Sequence, residues 1–305
     1  MIKKTLCFSN PVYLSKKNDQ LLIKYPESDQ EEKKAETINT IPVEDIGIII
    51  LENPQITITH SLLSSLIDNN AAVVTCDKSR MPNGLFLPLE SNALQSERFK
   101  SQIEASLPLK KQLWQQTISA KIRNQAANLR EKGVKINNMI LWGKKVRSGD
   151  PDNYEGRAAA YYWKNFFPMI PEFIRDRNGE PPNNLLNYGY AILRSVVARG
   201  LVASGLIPTL GIHHSNKYNA YCLADDIMEP YRPYVDRVVF EIVENGEDFY
   251  ELSTSIKKQL LTIPVLDVMI NEEKRPLMIA VQTTTASLSK CYENEGRKIS
   301  YPELM

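Results

Sequence analysis

Histidine and cysteine are scarce in this sequence of 305 residues: there are three histidines (His60, His213, His214) and four cysteines (Cys7, Cys76, Cys222, Cys291). No two cysteines form a C-x-x-C pair, which excludes the usual structural zinc frameworks. No cysteine has a base beside it in sequence, which argues against a thiol nucleophile. Four scattered thiols also exclude a disulfide-framed scaffold and suit a reducing cytoplasm. No uninterrupted membrane-length apolar run is present. The longest mostly apolar stretch, 191–212, is broken by Arg194 and Arg199, so it reads as a buried helix and no membrane association is expected. The opening MIKKTLCFSNPVYL has no apolar h-region or cleavage site, so no secretory signal is expected. G-x-G-x-x-G, G-x-x-x-x-G-K-[ST] and G-x-S-x-G are all missing, and with them the marks of dinucleotide enzymes, P-loop NTPases and α/β-hydrolases.

What is present is ordinary in bulk: 43% hydrophobic and 24% charged residues, the composition of a globular chain. The length suggests two domains. The formal net charge of +1 hides an uneven distribution. Between Arg98 and Arg147 there are twelve lysines and arginines against two acids, Glu104 and Glu131. A surplus of that size suits a polyanionic partner, most simply nucleic acid. A solvated face balanced by acids from elsewhere in the fold accounts for it equally well.

The pattern along the chain is α+β, with a β-rich N-terminal domain over 1–85 and an all-α domain over 86–305. Thr5–Ser9, Val12–Leu14, Gln20–Tyr25 and Ile46–Leu51 are short apolar or alternating runs, which predict strands. Lys16–Asp19 predicts a hairpin turn, Ser28–Lys34 an acid-rich loop, and Ala72–Thr75 a buried strand. A short helix is expected over His60–Asn69, where His60 would cap or pack. Pro82, Gly84 and Pro88 mark Asp77–Asn92 as a linker. Leu109, Leu113, Ile118, Ile122, Ala126 and Leu129 then recur at helical spacing. A second helix is expected from an Asp152 or Asn153 cap to Phe167, and a third over Asn184–Leu206, ahead of Pro208.

Chemistry concentrates in Gly211–Pro233, GIHHSNKYNAYCLADDIMEPYRP. Asp225 and Glu229 are four apart, so on a helix they share one face. Pro230 should bend or end that helix. Clustered carboxylates repel unless a cation or proton lies between them, so removing one should relieve strain in a metal-free protein. One imidazole with carboxylates suits Mg²⁺ or Mn²⁺, and such ions serve phosphoryl transfer. The competing reading is two core-edge histidines beside a solvated acidic face; the residue types alone lean that way, since charge runs are usually surface. Glu155, in NYEGRAAAYYW, is either a first-turn acid favoured by the helix dipole or a further ligand.

These stretches, together with IPVEDIGIIILENPQITITHSLL, MPNGLFLPLESN, SLPLKKQLWQQTISAKI and the closing KISYPELM, resemble the CRISPR-associated Cas1 family, the integrases of spacer acquisition, in its type II form. They span nearly the whole chain in the family's order. The resemblance implies a β-rich N-terminal domain that dimerises and an α-helical domain that carries metal-dependent DNA integration. It implies Mg²⁺ or Mn²⁺ held by Glu155, His214 and Glu229, with Asp225 able to assist. It places Lys217 at a basic position near the active site and Arg232 where it could meet phosphate. Lys110, Lys111, Lys144 and Lys145 are then candidates for tracking the DNA backbone. The implied partners are a second copy of the chain, a Cas2 dimer bridging two such dimers, a duplex DNA spacer, the CRISPR repeat, and the type II effector nuclease. A structure-selective nuclease and a catalytically silent DNA scaffold are the competing functions.

Overall fold

The computed structural model describes residues 3–26 and 39–304. The acid-rich Ser28–Lys34 segment lies outside the described residues. The chain divides into two compact units between Ser91 and Asn92.

The first unit holds two four-stranded sheets. Its strands are β1 (Lys4–Phe8), β2 (Tyr13–Lys17), β3 (Gln20–Lys24), β4 (Asn39–Pro42), β5 (Ile46–Leu51), β6 (Thr57–Ile58), β7 (Ala72–Cys76) and β8 (Pro82–Phe86), with helix α1 (His60–Asp68) before β7. One sheet has the order β1-β5-β7-β8 and the other β4-β3-β2-β6. β5, IGIIIL, lies between two parallel neighbours and is buried along nearly its whole length, as a continuous β-branched run requires. The β2–β3 turn places Asn18 and Asp19 at φ +50° and +56°, the left-handed pair of a tight hairpin. Phe8, Val12, Leu14, Leu21, Ile46, Ile49, Leu62 and Leu66 close the core. Thr59, rather than His60, caps α1, accepting from the Leu62 amide at 3.4 Å; His60 is exposed in its first turn.

The Pro- and Gly-punctuated stretch expected to be a linker is largely a hairpin arm. β8 pairs antiparallel with β7, Thr75 opposite Gly84. A Cβ at Gly84 would stand 2.3 Å from Thr75 Oγ1, so this glycine marks a close approach of backbone rather than a break.

The second unit is helical: α2 (Gln95–Ile103), α3 (Leu107–Glu131), α4 (Asn137–Lys145), α5 (Tyr154–Phe166), α6 (Asn183–Ala203), α7 (Cys222–Met228), α8 (Arg232–Glu244), α9 (Thr254–Leu260) and α10 (Leu277–Tyr292). It also carries one hairpin, β9 (Asp267–Ile270) with β10 (Glu273–Pro276). Among the described residues no helix is long and apolar enough to cross a membrane.

The 25-residue α3 is the axis of this unit. Ser106 caps it and Pro108 sits in its first turn, where no amide partner is lost. Leu113, Trp114, Ile118, Ile122 and Leu129 bury one stripe at helical spacing. Further along, the stripe turns polar. Asn124 Nδ2 donates to Pro230 O (2.7 Å) and Pro302 O (3.0 Å), and its Oδ1 accepts from Leu304 N (3.0 Å). Asn128 Nδ2 donates to Pro233 O (2.8 Å) and Tyr162 Oη (3.0 Å). Two proline carbonyls around the α7–α8 bend are thus satisfied from α3. The bend itself is a 3₁₀ turn, Glu229–Tyr231, where Pro230 was expected to interrupt the helix.

Asn124→Ala should leave two buried carbonyls and one buried amide unpaired. The expected loss is about 3 kcal/mol of unfolding free energy in denaturant titration, against less than about 0.5 for exposed Arg130→Ala. Equal losses would show that Asn124 does not fasten the bend.

Candidate metal centre

Three elements aim their charges at the middle of α3. The first is α5. Asn153, at φ +51°, caps it by accepting from Gly156 N at 3.0 Å, and a Cβ at Gly156 would crowd that cap oxygen at 2.7 Å. Asp150 accepts from the next two amides, Tyr154 N and Glu155 N, both at 2.9 Å. The helix start is therefore doubly fixed, with Glu155 in its first turn. The second is the 3₁₀ turn, which begins at Glu229. The third is the loop before α7, which carries His213 and His214.

The Lys121 ammonium lies between the two glutamates, 2.7 Å from Glu155 Oε1 and 2.6 Å from Glu229 Oε2. The other oxygen of Glu229 meets Arg232 Nε at 2.9 Å, and the Arg232 guanidinium lies 4.6 Å from the centre of the Tyr190 ring. Burial works against the Lys121 cation, but Glu229 and Glu155 outweigh it, with Arg232 opposing, and hold its pKa above the ordinary value. Burial likewise works against the Glu229 anion, but Arg232 and Lys121 prevail and hold its pKa below the ordinary value. Sequence reasoning expected the acids to repel, so that removing one would relieve strain. The structure reverses this for Glu229, because deleting its charge leaves two largely buried cations without their partner.

His214 is oriented from behind. Its Nδ1 lies 2.5 Å from Asp226 Oδ1, with Asp226 fully buried and the imidazole about half exposed (47%). Asp226 also accepts from the amides of Ile212 (2.7 Å), His213 (2.9 Å) and His214 (3.3 Å), so one carboxylate fixes the whole turn. Gly211 permits it: a Cβ there would meet His214 O at 2.2 Å. His213 stacks face to face on Trp114, ring centres 4.1 Å apart, and His214 meets the same indole edge-on. The hydrogen bond to Asp226 raises the His214 pKa above its usual 6.5; partial burial opposes it, and the charges of Asp226, Glu229 and Glu155 add to the rise.

The remaining sequence candidates are dispersed. Asp225 is engaged by Arg194 Nε (2.7 Å) and Asn219 Nδ2 (2.7 Å), partners it does not share with Glu229. Lys217 stands on the exposed loop with its ammonium 4.9 Å from the Tyr218 ring centre. Lys110 and Lys111 lie in the first turns of α3, and Lys144 and Lys145 end α4. Those ends adjoin, because Gly149 N donates to Lys111 O (2.9 Å) and Gln115 Nε2 to Val146 O (2.7 Å). Asp226 and Lys121 were not singled out. A 12-residue separation between Asp226 and His214 has no helical or strand signature, and Lys121 stood undistinguished within a basic helix. Among the described residues no three His, Cys, Asp or Glu side chains stand close enough together to hold a metal ion; the place between the glutamates is taken by Lys121.

The profile of the family described as CRISPR associated protein Cas1 matches residues 6–262. A CRISPR-associated endonuclease Cas1 of Neisseria meningitidis serogroup C (strain 8013) is 35% identical over 308 aligned residues, covering 100% of this chain and 97% of the relative. Among solved structures, a casposase bound to integration product superposes with TM-score 0.78 at 21% identity, covering 98% of this chain and 92% of that one. A Cas1 protein from Thermotoga maritima superposes at 0.72 with 16% identity, covering 98% and 100%. A Cas6-RT-Cas1–Cas2 complex superposes at 0.71 with 20% identity, covering 97% of this chain and 35% of that one. At these identities the structures attest the fold.

A raised folded-state pKa makes the His214 contribution to stability complete below about 6.5 and lost as pH rises through the folded value. In chelator-treated protein, NMR titration should place His214 above 6.5, and Asp226→Asn should bring it down. Unfolding free energy should fall as pH rises above 6.5 and through the raised folded-state value, and Asp226→Asn should flatten that fall. A His214 titrating at or below its ordinary value would contradict the pairing.

Proposed function

The chain belongs to the CRISPR-associated Cas1 family, and we propose that it is a divalent-metal-dependent DNA endonuclease and integrase that inserts short duplex spacers into a CRISPR array. The observation that carries this reading is the convergence of Glu155 and Glu229, from two separate elements, on a single cation beside a histidine held by a buried carboxylate.

The residues fit Mg²⁺ or Mn²⁺. Two carboxylates already oriented around one positive charge, with an imidazole near enough for their charges to act on it, are a hard-cation donor set whose nitrogen favours Mn²⁺. Glu155, Glu229 and His214 would hold the ion. Asp226 engages Nδ1, which leaves Nε2 as the ligating nitrogen and makes Asp226 the carboxylate that orients a metal-binding histidine. When bound, the ion polarises a phosphate and lowers the pKa of an attacking hydroxyl.

The protein's own share is positioning. In the proposed reaction a 3′-hydroxyl of the spacer attacks a phosphodiester of the repeat, and a different 3′-hydroxyl leaves. One phosphoester bond forms and one breaks, so no nucleotide triphosphate is consumed. Arg232 is committed to Glu229 and Tyr190, so it acts by orienting the carboxylate. Asp225 and Arg194 brace α7 against α6. Lys217, exposed three residues after His214, would meet incoming phosphate. The unit up to Ser91 is assigned to dimerisation. The partners are a bridging Cas2 dimer, the spacer duplex, the repeat and the type II effector nuclease, acting in the cytoplasm.

Half-site integration of a labelled 3′-OH duplex into supercoiled plasmid, with the Cas2 partner present, tests the reading. His214→Ala should lower it at least roughly tenfold, about 1.4 kcal/mol, and isosteric Glu229→Gln further, with duplex binding retained. Integration near the unmodified level in both variants would place the chemistry elsewhere; in the unmodified protein, metal-dependent cleavage without joining would favour a nuclease, and duplex binding with neither reaction would favour a scaffold.

Affinity for duplex DNA should fall steeply with salt as phosphate contacts release counterions. Replacing Lys110 and Lys111, or Lys144 and Lys145, by alanine should make the log–log slope shallower by roughly one to two, without altering sequence preference. Unchanged slopes in both double variants would make these lysines an ordinary solvated face.

A further inference from the structure

Lys121 is unusual for a lysine within a long helix. Its side chain is only 12% exposed, and its ammonium is shared by two carboxylates that belong to other elements. Lys111, on the same helix, is exposed. The ammonium meets Glu155 and Glu229 at 2.7 and 2.6 Å, somewhat longer than the roughly 2.0–2.3 Å that Mg²⁺ or Mn²⁺ takes from oxygen. Both carboxylates therefore already point at one centre, and that centre is filled. Two cations cannot share it, and as they stand no three ligand-type side chains among the described residues form an ion site.

We propose that Lys121 is the resident counter-ion of the metal-free site: its ammonium stands in the ion's place, keeps Glu155 and Glu229 aimed, and is displaced when the ion binds, so that this positioning residue sets ion affinity. The inference rests on the assignment of Glu155, Glu229 and His214 as the ion's ligands. The four-carbon stem makes the exchange feasible, since a lysine is a compact charge on a flexible arm. Arg232, stacked on Tyr190 and paired with the far oxygen of Glu229, does not need to move. The glutamate thus keeps its orientation while its second oxygen changes partner. The ordinary structural role of a buried lysine predicts the opposite behaviour: if Lys121 only holds α3 to its neighbours, losing it loosens the ligands and weakens the ion.

Two measurements on the full chain decide. The first is Mn²⁺ titration followed by the electron paramagnetic resonance of free Mn²⁺, comparing the unmodified protein with Lys121→Met. The variant should bind Mn²⁺ at least about fivefold more tightly while melting at a lower temperature than the unmodified protein in chelator. The second needs no variant: acetylation by an N-hydroxysuccinimide ester, read by mass spectrometry, should label Lys121 several-fold faster with Mn²⁺ than with chelator, with Lys111 as the internal reference. Equal or weaker Mn²⁺ binding by a folded Lys121→Met protein overturns the proposal. So does Lys121 labelling that stays constant while Mn²⁺ is bound, a result that decides the matter even if the variant does not fold. An unmodified protein that binds no Mn²⁺ overturns the metal assignment as well, which separates the two failures.

Discussion

A partly buried row of alternating charge, Glu155–Lys121–Glu229–Arg232, centred on the buried Glu229, is the interaction on which the helical unit depends. It joins α5, α3, the 3₁₀ turn and α8, and through the Arg232–Tyr190 stack it reaches α6. Desolvating a charge is costly unless its partner is in place, so each member enforces the position of the next. The row ends in a second layer. Tyr190 donates to Asp236 Oδ1 at 2.5 Å and Tyr162 to its Oδ2 at 3.0 Å. Burial pushes the Asp236 carboxyl up to about 7, against the two tyrosine hydrogen bonds and the nearby arginines Arg232 and Arg175. The row is neutral as it stands, two anions against two cations. Under the proposed exchange, a divalent ion in place of the Lys121 ammonium would leave the row one charge positive, an excess that one phosphodiester would offset.

The histidine is governed by a different constraint. Eighteen residues outside helix and strand separate the end of α6 at Ala203 from the start of α7 at Cys222, and an imidazole at a half-exposed position would ordinarily sample several rotamers. Here one buried carboxylate accepts three successive amides and the ring itself, and the neighbouring imidazole is pinned flat on Trp114. The entropy of ordering His214 is thus met at the fold stage, before any ligand arrives, which is what a preorganised ligand requires.

Much of this was legible in residue patterns, and the illegible part has physical causes. The strands and helices named from sequence followed from periods of two and 3.6, and a cap at Asp152 or Asn153, which the fold resolves to Asn153, and the break at Pro230 from their local chemistry. β8 was missed because Pro82 and Gly84 read as breakers, whereas Gly84 is there to let Thr75 approach. Glu155, His214 and Glu229 were nameable through family resemblance, but the residues that organise them were not. Asp225 and Asp226 are adjacent and chemically identical in sequence; only the fold sends one to Arg194 and the other to the imidazole. Lys121 counted as one more charge in a basic block, because composition does not record direction.

That block reads differently once direction is known. Among its members Lys121 points inward, and Arg98 and Arg147 are paired with Glu293 and Asp152. Lys132 lies over the Phe240 ring, with burial lowering its pKa to about 8. The surplus inferred by counting therefore overstates what a polyanion would meet. The lysines in the first turns of α3 and at the end of α4 remain at the surface and side by side. Along α3 the tasks are consequently separated by position: outward charge near its start, an inward charge at its middle, and the buried amides of Asn124 and Asn128 beyond. One rigid element then fixes the distance between the surface that would grip a DNA backbone and the centre that would act on it. Such an arrangement needs no mobile part between binding and chemistry.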